Sequence, residues 1–198
     1  WVGKEEYSAK TLIISTGASA NWLGLENEKR LWGKGVSACA TCDGFFFMDK
    51  HVVVVGGGDS AMEEALTLTK FAKKVTIVHR RKEFRASKIM QDRVLKHKKI
   101  EVVWDSTLTD VLGKDKVEGV KIKNVETGKT SKIVCDGLFV AIGHTPATAL
   151  FKGSLEIDDK GYLITKEGVK TAISGVFAAG DVADPHYRQA IKIGRAHV

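Results

Sequence analysis

Short apolar runs separated by glycine-bearing turns, together with stretches whose apolar residues recur at helical spacing, predict a chain that alternates strands and helices. The run Thr11-Leu12-Ile13-Ile14-Ser15 ends in Thr16-Gly17-Ala18-Ser19, the pattern of a buried strand followed by a glycine turn. Asn21 to Gly35 is polar and reads as a loop or linker. Phe45-Phe46-Phe47 is a hydrophobic hinge or packing patch, and Val52-Val53-Val54-Val55 suits a parallel strand buried on both faces. A helix is expected from about Ser60 to Phe71, a strand at Val75-Thr76-Ile77-Val78, and an amphipathic helix from Phe84 to Leu95, where Ala86, Ile89, Met90 and Val94 recur. Ile100 to Trp104, Leu108 to Leu112, Val117 to Lys123 and Ser131 to Val134 then read as an antiparallel ribbon inserted in the parallel fold, turning at Val125-Glu126-Thr127-Gly128-Lys129. Cys135 to Gly143 supplies another buried strand, with Cys135 structural. Beyond Pro146 an adjoining unit is expected, with a turn and strand at Glu156 to Ile164 and a strand from Gly175 that ends in Gly180-Asp181-Val182.

Two of these junctions carry candidate chemistry. The first is Gly56-Gly57-Gly58-Asp59-Ser60-Ala61, which falls between a strand and a helix, the context that a G-x-G-x-x-A dinucleotide fingerprint requires. Glycines there let the backbone approach a pyrophosphate, Ala61 lets helix and strand pack closely, and the helix N-terminus favours the negative charge. Where an NAD site carries an acidic residue for the ribose, the next strand ends in His79-Arg80-Arg81, with Arg85 beyond. Guanidinium groups make bidentate, permanently charged contacts with phosphate, so this pattern predicts the 2′-phosphate of NADPH. The second is Ala38-Cys39-Ala40-Thr41-Cys42-Asp43-Gly44: two cysteines close enough to form a small disulfide ring, with a carboxyl directly after the second. Half of a zinc site or a pair of core cysteines are the other readings of the same spacing.

Composition narrows the setting. The 198 residues are 43% hydrophobic, enough for one large or two small cores. No apolar run is long enough to span a membrane and no leader-like start is seen, so no membrane partner is expected. Three cysteines are too few for a secreted disulfide scaffold, which makes a cytoplasmic compartment the default. The net charge of +7 raises the question of nucleic acid, but the basic residues fall in short knots without interleaved aromatics, at Lys73-Lys74, His79 to Lys82 and Lys96 to Lys99. They read as solvated helix ends and one anion site, with no nucleic-acid partner.

From Leu12 to Ile191 the chain resembles the low-molecular-weight thioredoxin reductases, most specifically in Ala38 to Gly44. A related peroxide-defence flavoprotein shares the architecture but usually has a proline after its first cysteine. The resemblance implies an α/β fold in which a Rossmann-like NADPH-binding domain, residues 21–148 with the Cys-x-x-Cys, is inserted in a partial FAD-binding domain made of residues 1–20 and 149–191. It implies FAD contacts at Thr16-Gly17-Ala18, Gly180-Asp181-Val182 and Arg188-Gln189-Ala190, and NADPH contacts at Gly56 to Ala61, His79, Arg80, Arg81 and Arg85. Electrons would pass from NADPH through FAD to a Cys39–Cys42 disulfide and on to thioredoxin. Cys42 would face the flavin, Cys39 would attack thioredoxin and Asp43 would exchange the proton. Domain swivelling about Asn21 to Gly35 and Gly143 to Ala149 and a homodimer for the full-length protein also follow from it, while no metal is expected because Cys135 is the one other cysteine and His51, His79 and His97 show no paired ligand spacing. The FAD domain's own first strand and glycine turn would precede Trp1, so a fragment is expected, itself inactive. Residues 192–198 replace a small, glycine-rich helix and are expected to be a non-native tail. A non-catalytic NADPH-binding module, and a basic nucleic-acid-binding protein holding zinc through its Cys-x-x-Cys, are the readings of other classes.

Overall fold

The computed structural model describes residues 3–185. The chain divides into a central unit, residues 20–143, and a flanking unit formed by the segments up to residue 19 and from residue 144.

The flanking unit contributes β1 (Leu12–Ile14) and the start of β2 (Ala18–Ala20). In the central unit follow α1 (Glu26–Arg30), β3 (Val36–Ser37), α2 (Ala40–Asp43), β4 (His51–Val55), α3 (Asp59–Leu68), β5 (Lys74–Val78), α4 (Lys88–Leu95) and β6 (Ile100–Val103). Then come β7 (Ser106–Leu112), β8 (Gly119–Asn124), β9 (Thr130–Val134) and β10 (Gly137–Val140). The flanking unit resumes with β11 (His144–Pro146), which pairs with β2, and β12 (Val176–Ala178).

The central sheet runs β3-β10-β4-β5-β6, and every neighbouring pair is parallel. The four valines of β4 divide between two cores, because successive side chains on a strand point to opposite faces. Val52 and Val54 pack with Ala61, Met62, Ala65 and Leu68 of α3. Val53 and Val55 pack with Leu108, Val111 and Val120 of the antiparallel layer β7-β8-β9. One face of the sheet is therefore covered by helices and the other by an antiparallel sheet, which is why every valine position must be apolar.

Several elements differ from the sequence expectation. Ile100 to Trp104 does not join the antiparallel ribbon: β6 pairs in parallel with β5, from Val75↔Ile100 to Val78↔Val103, because α4 carries the chain back across the sheet face. Helix α4 begins at Lys88 rather than Phe84. Phe84 and Ala86 are buried ahead of it, and their carbonyls accept from Gln91 Nε2 at 3.4 and 2.8 Å. Helix α3 ends at Leu68, and Lys99 Nζ donates to the Thr69 and Ala72 carbonyls just beyond it, at 2.8 and 2.9 Å. The segment expected to be a loop contains α1, whose Glu28 is buried and accepts the backbone N–H groups of Leu23, Gly24 and Leu25 at 3.0, 2.9 and 3.2 Å. Of the three consecutive phenylalanines, Phe47 is buried edge-on against Phe139, while Phe45 and Phe46 are exposed.

In the flanking unit β1 lies parallel to β12, with Ile14 opposite Ala178. Its core is Ile14, Leu163, Ala178 and Val182. The run Leu12 to Ile14 is not wholly buried as expected: Leu12 and Ile13 are exposed, since β12 is the one strand paired with β1 among the described residues. Glu156 to Ile164 forms a turn closed by Asp158 Oδ1, which accepts from the N–H groups of Lys160 and Tyr162, and a single bridge between Ile157 and Leu163 rather than a strand.

Candidate functional site

The glycine turn stands at the C-terminal edge of the parallel sheet, beside the point where strand order reverses from β4–β5 to β4–β10, the place where open α/β sheets bind ligands. Its three glycines have separate reasons. Gly56 has φ +152°, and a Cβ there would meet the Ala141 carbonyl oxygen at 2.3 Å and Ala61 Cβ at 2.7 Å. A Cβ on Gly57 would lie 2.2 Å from the His79 ring. Gly58, the residue before α3, has nothing within 4 Å of the same position. The first two glycines are thus required by the protein itself, and the third leaves its outer face open to a ligand.

The arginine segment is tied to this turn, since Arg85 N–H donates to the Gly57 carbonyl at 2.7 Å. Arg80, Arg81 and Arg85 are exposed. His79 is buried beneath the glycines: its Nε2 lies 2.9 Å from the Glu83 carbonyl, and its ring packs near Phe84 and Trp104. Burial foremost, with the Arg85 and Arg81 charges adding, holds its pKa below the usual histidine value. Neutral and covered, it supports the turn from below. Asp59 Oδ1 accepts from both N–H and Oγ of Ser87 at 2.9 Å, so its carboxylate joins the start of α3 to that of α4.

The Cys-x-x-Cys pair lies in the same unit. Cys39 and Cys42 are joined by a disulfide, with Cα atoms 5.3 Å apart. Cys39 precedes α2, and its Sγ accepts from the Cys42 N–H at 3.2 Å. Asp43 Oδ2 accepts from Ser37 Oγ at 2.6 Å, and the same hydroxyl accepts from the Cys39 N–H at 3.1 Å, so Ser37 links the carboxyl to the backbone of the first cysteine. On the other side, the Ala40 N–H donates to Glu64 Oε2 on α3. Burial raises the Glu64 carboxyl to about 7, against the lowering effect of that hydrogen bond and with help from the Glu63 charge. Ser37 and Glu64 did not stand out in the sequence. Glu64 had a readable signal, since it falls on the stripe Ala61, Ala65, Leu68 that the helical period assigns to the core. The third cysteine, Cys135, is buried in the core behind β4, and burial pushes its thiol up to about 12, which makes it inert.

In the flanking unit, the parallel pairing of β1 and β12 brings Thr16-Gly17 and Gly180-Asp181-Val182 to the same ends of their strands. Gly17 has φ +73° and Gly180 φ +80°, and neither has an atom within 4 Å of the position a Cβ would take. Thr16 Oγ1 donates to the Ala147 carbonyl at 2.8 Å. Arg188, Gln189 and Ala190, and the tail 192–198, lie outside the described residues. Among the described residues no helix is long and apolar enough to cross a membrane.

The chain is similar to known proteins over most of its length. The thioredoxin reductase of Rickettsia conorii is 57% identical over 190 residues, covering 94% of this chain and 61% of the relative. That of Streptomyces coelicolor is 54% identical over 186 residues, covering 93% and 58%. Among solved structures, the thioredoxin reductase of Streptococcus pyogenes superposes with a TM-score of 0.85 at 45% identity, over 98% of this chain and 63% of that one. The thioredoxin reductase of Giardia duodenalis gives 0.84 at 48%, over 94% and 61%. The chain therefore spans about three fifths of the length of the relatives it matches. Residues 2–196 match the family described as pyridine nucleotide-disulphide oxidoreductase, and the chain belongs to that family.

Proposed function

We propose that this chain is the part of an NADPH-dependent thioredoxin-disulfide reductase that holds the dinucleotide and carries the redox-active pair, Cys39 and Cys42. The observation that carries the reading is that the open glycine turn and the disulfide belong to one unit and are linked through one helix, α3, by the Glu64 to Ala40 bond.

The residues present fit the cofactors. The uncovered face of Gly58 and the first-turn N–H groups of α3 would receive the pyrophosphate of NADPH, with Arg80, Arg81 and Arg85 on its 2′-phosphate. Thr16, Gly17, Gly180, Asp181 and Val182 would lie against FAD, where the open glycines allow a flat group to approach the backbone, and Arg188, Gln189 and Ala190 would complete that set. When bound, NADPH supplies a hydride and FAD relays its two electrons. On the protein side, opening the Cys39–Cys42 bond takes two electrons and two protons. Asp43, oriented by Ser37, exchanges a proton with the opened pair. The Cys39 thiolate then attacks the disulfide of thioredoxin and Cys42 resolves the mixed disulfide. Phe45 and Phe46, exposed beside α2, and a cleft of about 250 Å³ that includes Lys34, Ser37, Asp43, Phe46 and Lys50 would receive that partner. The intact protein would act in the cytoplasm as a homodimer.

In the complete protein, Cys39→Ser or Cys42→Ser should abolish NADPH-dependent reduction of thioredoxin while NADPH still bleaches the flavin. Thioredoxin reduction at the parent rate in either variant would remove the pair from the reaction.

A further inference from the structure

One carboxyl group near the disulfide enters the scheme above only as a structural link, with no part in its proton or electron steps. Glu64 projects from the middle of α3, mostly buried, and its one hydrogen-bond donor among the described residues is the peptide N–H of Ala40, the residue that follows Cys39. Among the described residues no salt bridge includes it. The titratable groups on the elements packed against it are Cys39, Cys42 and Asp43 on or beside α2, Lys88, Asp92 and Arg93 on α4, His51 on β4 and Lys74 on β5. The charge of its own helix neighbour Glu63 raises the Glu64 carboxyl further. A carboxyl of this kind costs free energy when charged, and it persists beside the redox pair instead of the apolar residue that the helical stripe would accept.

We propose that Glu64 is a positioning residue for the redox pair: its hydrogen bond to Ala40 fixes the turn that carries Cys39, and its charge state sets how readily the opened Cys39 becomes a thiolate. The physical basis is short-range electrostatics. An ionised Glu64 stands one peptide unit from Cys39 and opposes a second negative charge there. A protonated Glu64 does not. The two groups titrate as a coupled pair, so each holds the other's proton to higher pH. Because the carboxyl of Glu64 ionises near pH 7, the brake on Cys39 comes on across the neutral range.

This inference rests on the reading of Cys39 and Cys42 as the redox pair, and its test is separate from that one. The complete protein is prepared with Cys42→Ser, so that Cys39 has no disulfide partner within the motif. Alkylation of Cys39 by iodoacetamide is followed against pH by mass spectrometry of the peptide that contains it, with and without Glu64→Gln. Glutamine keeps an oxygen for the Ala40 N–H and removes the charge, so the fold is retained and only the electrostatic part is lost. The expected result is that Glu64→Gln moves the alkylation profile to lower pH and speeds the reaction by about twofold at pH 7, where half of Glu64 is ionised, and severalfold at pH 8, where nearly all of it is. Superimposable profiles would overturn the proposal. They would leave the electron path from NADPH untouched, since that path is read from thioredoxin reduction.

Discussion

The glycine turn makes a prediction that separates stability from binding within two adjacent residues. In Gly57→Ala the new methyl would sit 2.2 Å from a His79 ring that is 5% exposed, held near Phe84 and Trp104 and bonded to the Glu83 carbonyl. A ring fixed on that many sides cannot swing away cheaply, so the substitution is an overpacking of the core and should cost about 1–3 kcal/mol. With a urea m-value of roughly 1–3 kcal/mol/M, the unfolding midpoint should fall by about 1 M. In Gly58→Ala the methyl meets nothing within 4 Å, and the backbone, at φ −100° and ψ −178°, is extended and open to alanine. The entropy gained by restricting the unfolded chain, about 0.4–1 kcal/mol, offsets the loss of a good helix-capping residue. Its stability should therefore stay within about 1 kcal/mol of the parent. Its affinity should not, because the methyl occupies the one face of the turn through which a pyrophosphate can reach the backbone. Losing charge-assisted hydrogen bonds there should cost roughly 1.5–3 kcal/mol each, about ten- to a hundredfold in Kd. Both variants are made in the complete protein, with urea unfolding for stability and calorimetric titration with NADPH for affinity. Parent affinity in Gly58→Ala would show that the dinucleotide does not lie over this turn.

Replacing Arg80 and Arg81 together with alanine should lower NADPH affinity about ten- to a hundredfold and leave NADH binding near the parent value, because only the 2′-phosphate distinguishes the two. An unchanged preference in the titration would place that phosphate elsewhere. His51 and His79 are both held below the usual histidine value by burial foremost. The unfolded chain therefore binds protons first as the pH falls, so the stability these two contribute is complete above about pH 6.5 and is lost as pH drops through their folded values. Glu64 acts in the opposite sense. Its carboxyl is raised from 4.5 to about 7, so its contribution is complete below pH 4.5 and is lost as pH rises through 7. Glu64→Gln removes that opposition, and the variant's urea midpoint should fall more steeply than the parent's between pH 6.5 and 5. Parallel curves would count against the shift.

Where a residue's surroundings are set by its own neighbours in sequence, the reading from sequence matched the structure. Val52 to Val55 needed apolar cover on both sides whichever elements supplied it, and the glycines that follow were legible because a strand, a tight turn and a helix leave few alternatives. The spacing of Cys39 and Cys42 fixed how closely their backbones can approach. What stayed hidden depends on partners distant in sequence. Glu28 looks like one charge in a polar stretch, and its burial follows from a bend that turns three N–H groups of Leu23 to Leu25 toward it. Ile100 to Val103 is a short strand of mixed burial whose pattern fits either sheet, and only the return path of α4 assigns it to β5. Leu12 and Ile13 show the same limit, since an apolar run states a preference for cover but does not supply it. Glu64 lay on a legible stripe as its one exception, and its bond to Ala40 needed α2 in place to be seen.

Helix α3 gives these observations a common frame. Its first turn borders the open glycine, and Glu64 reaches the Cys39 turn from six residues after Gly58, roughly 9 Å along the axis at 1.5 Å per residue. A single rigid element of ten residues thus fixes the disulfide relative to the phosphate end of the dinucleotide site, and that separation cannot change unless the central unit itself deforms. The residues offered to the flavin belong to the other unit. Gly143 carries φ +105°, a conformation that side chains rarely adopt, and its carbonyl accepts the Asn21 N–H at 2.9 Å, so the first and last residues of the central unit are tied together. Within that unit the disulfide, Glu64 and the glycine turn are held by one helix and one hydrogen bond, so a change that shifts α3 should disturb all three together.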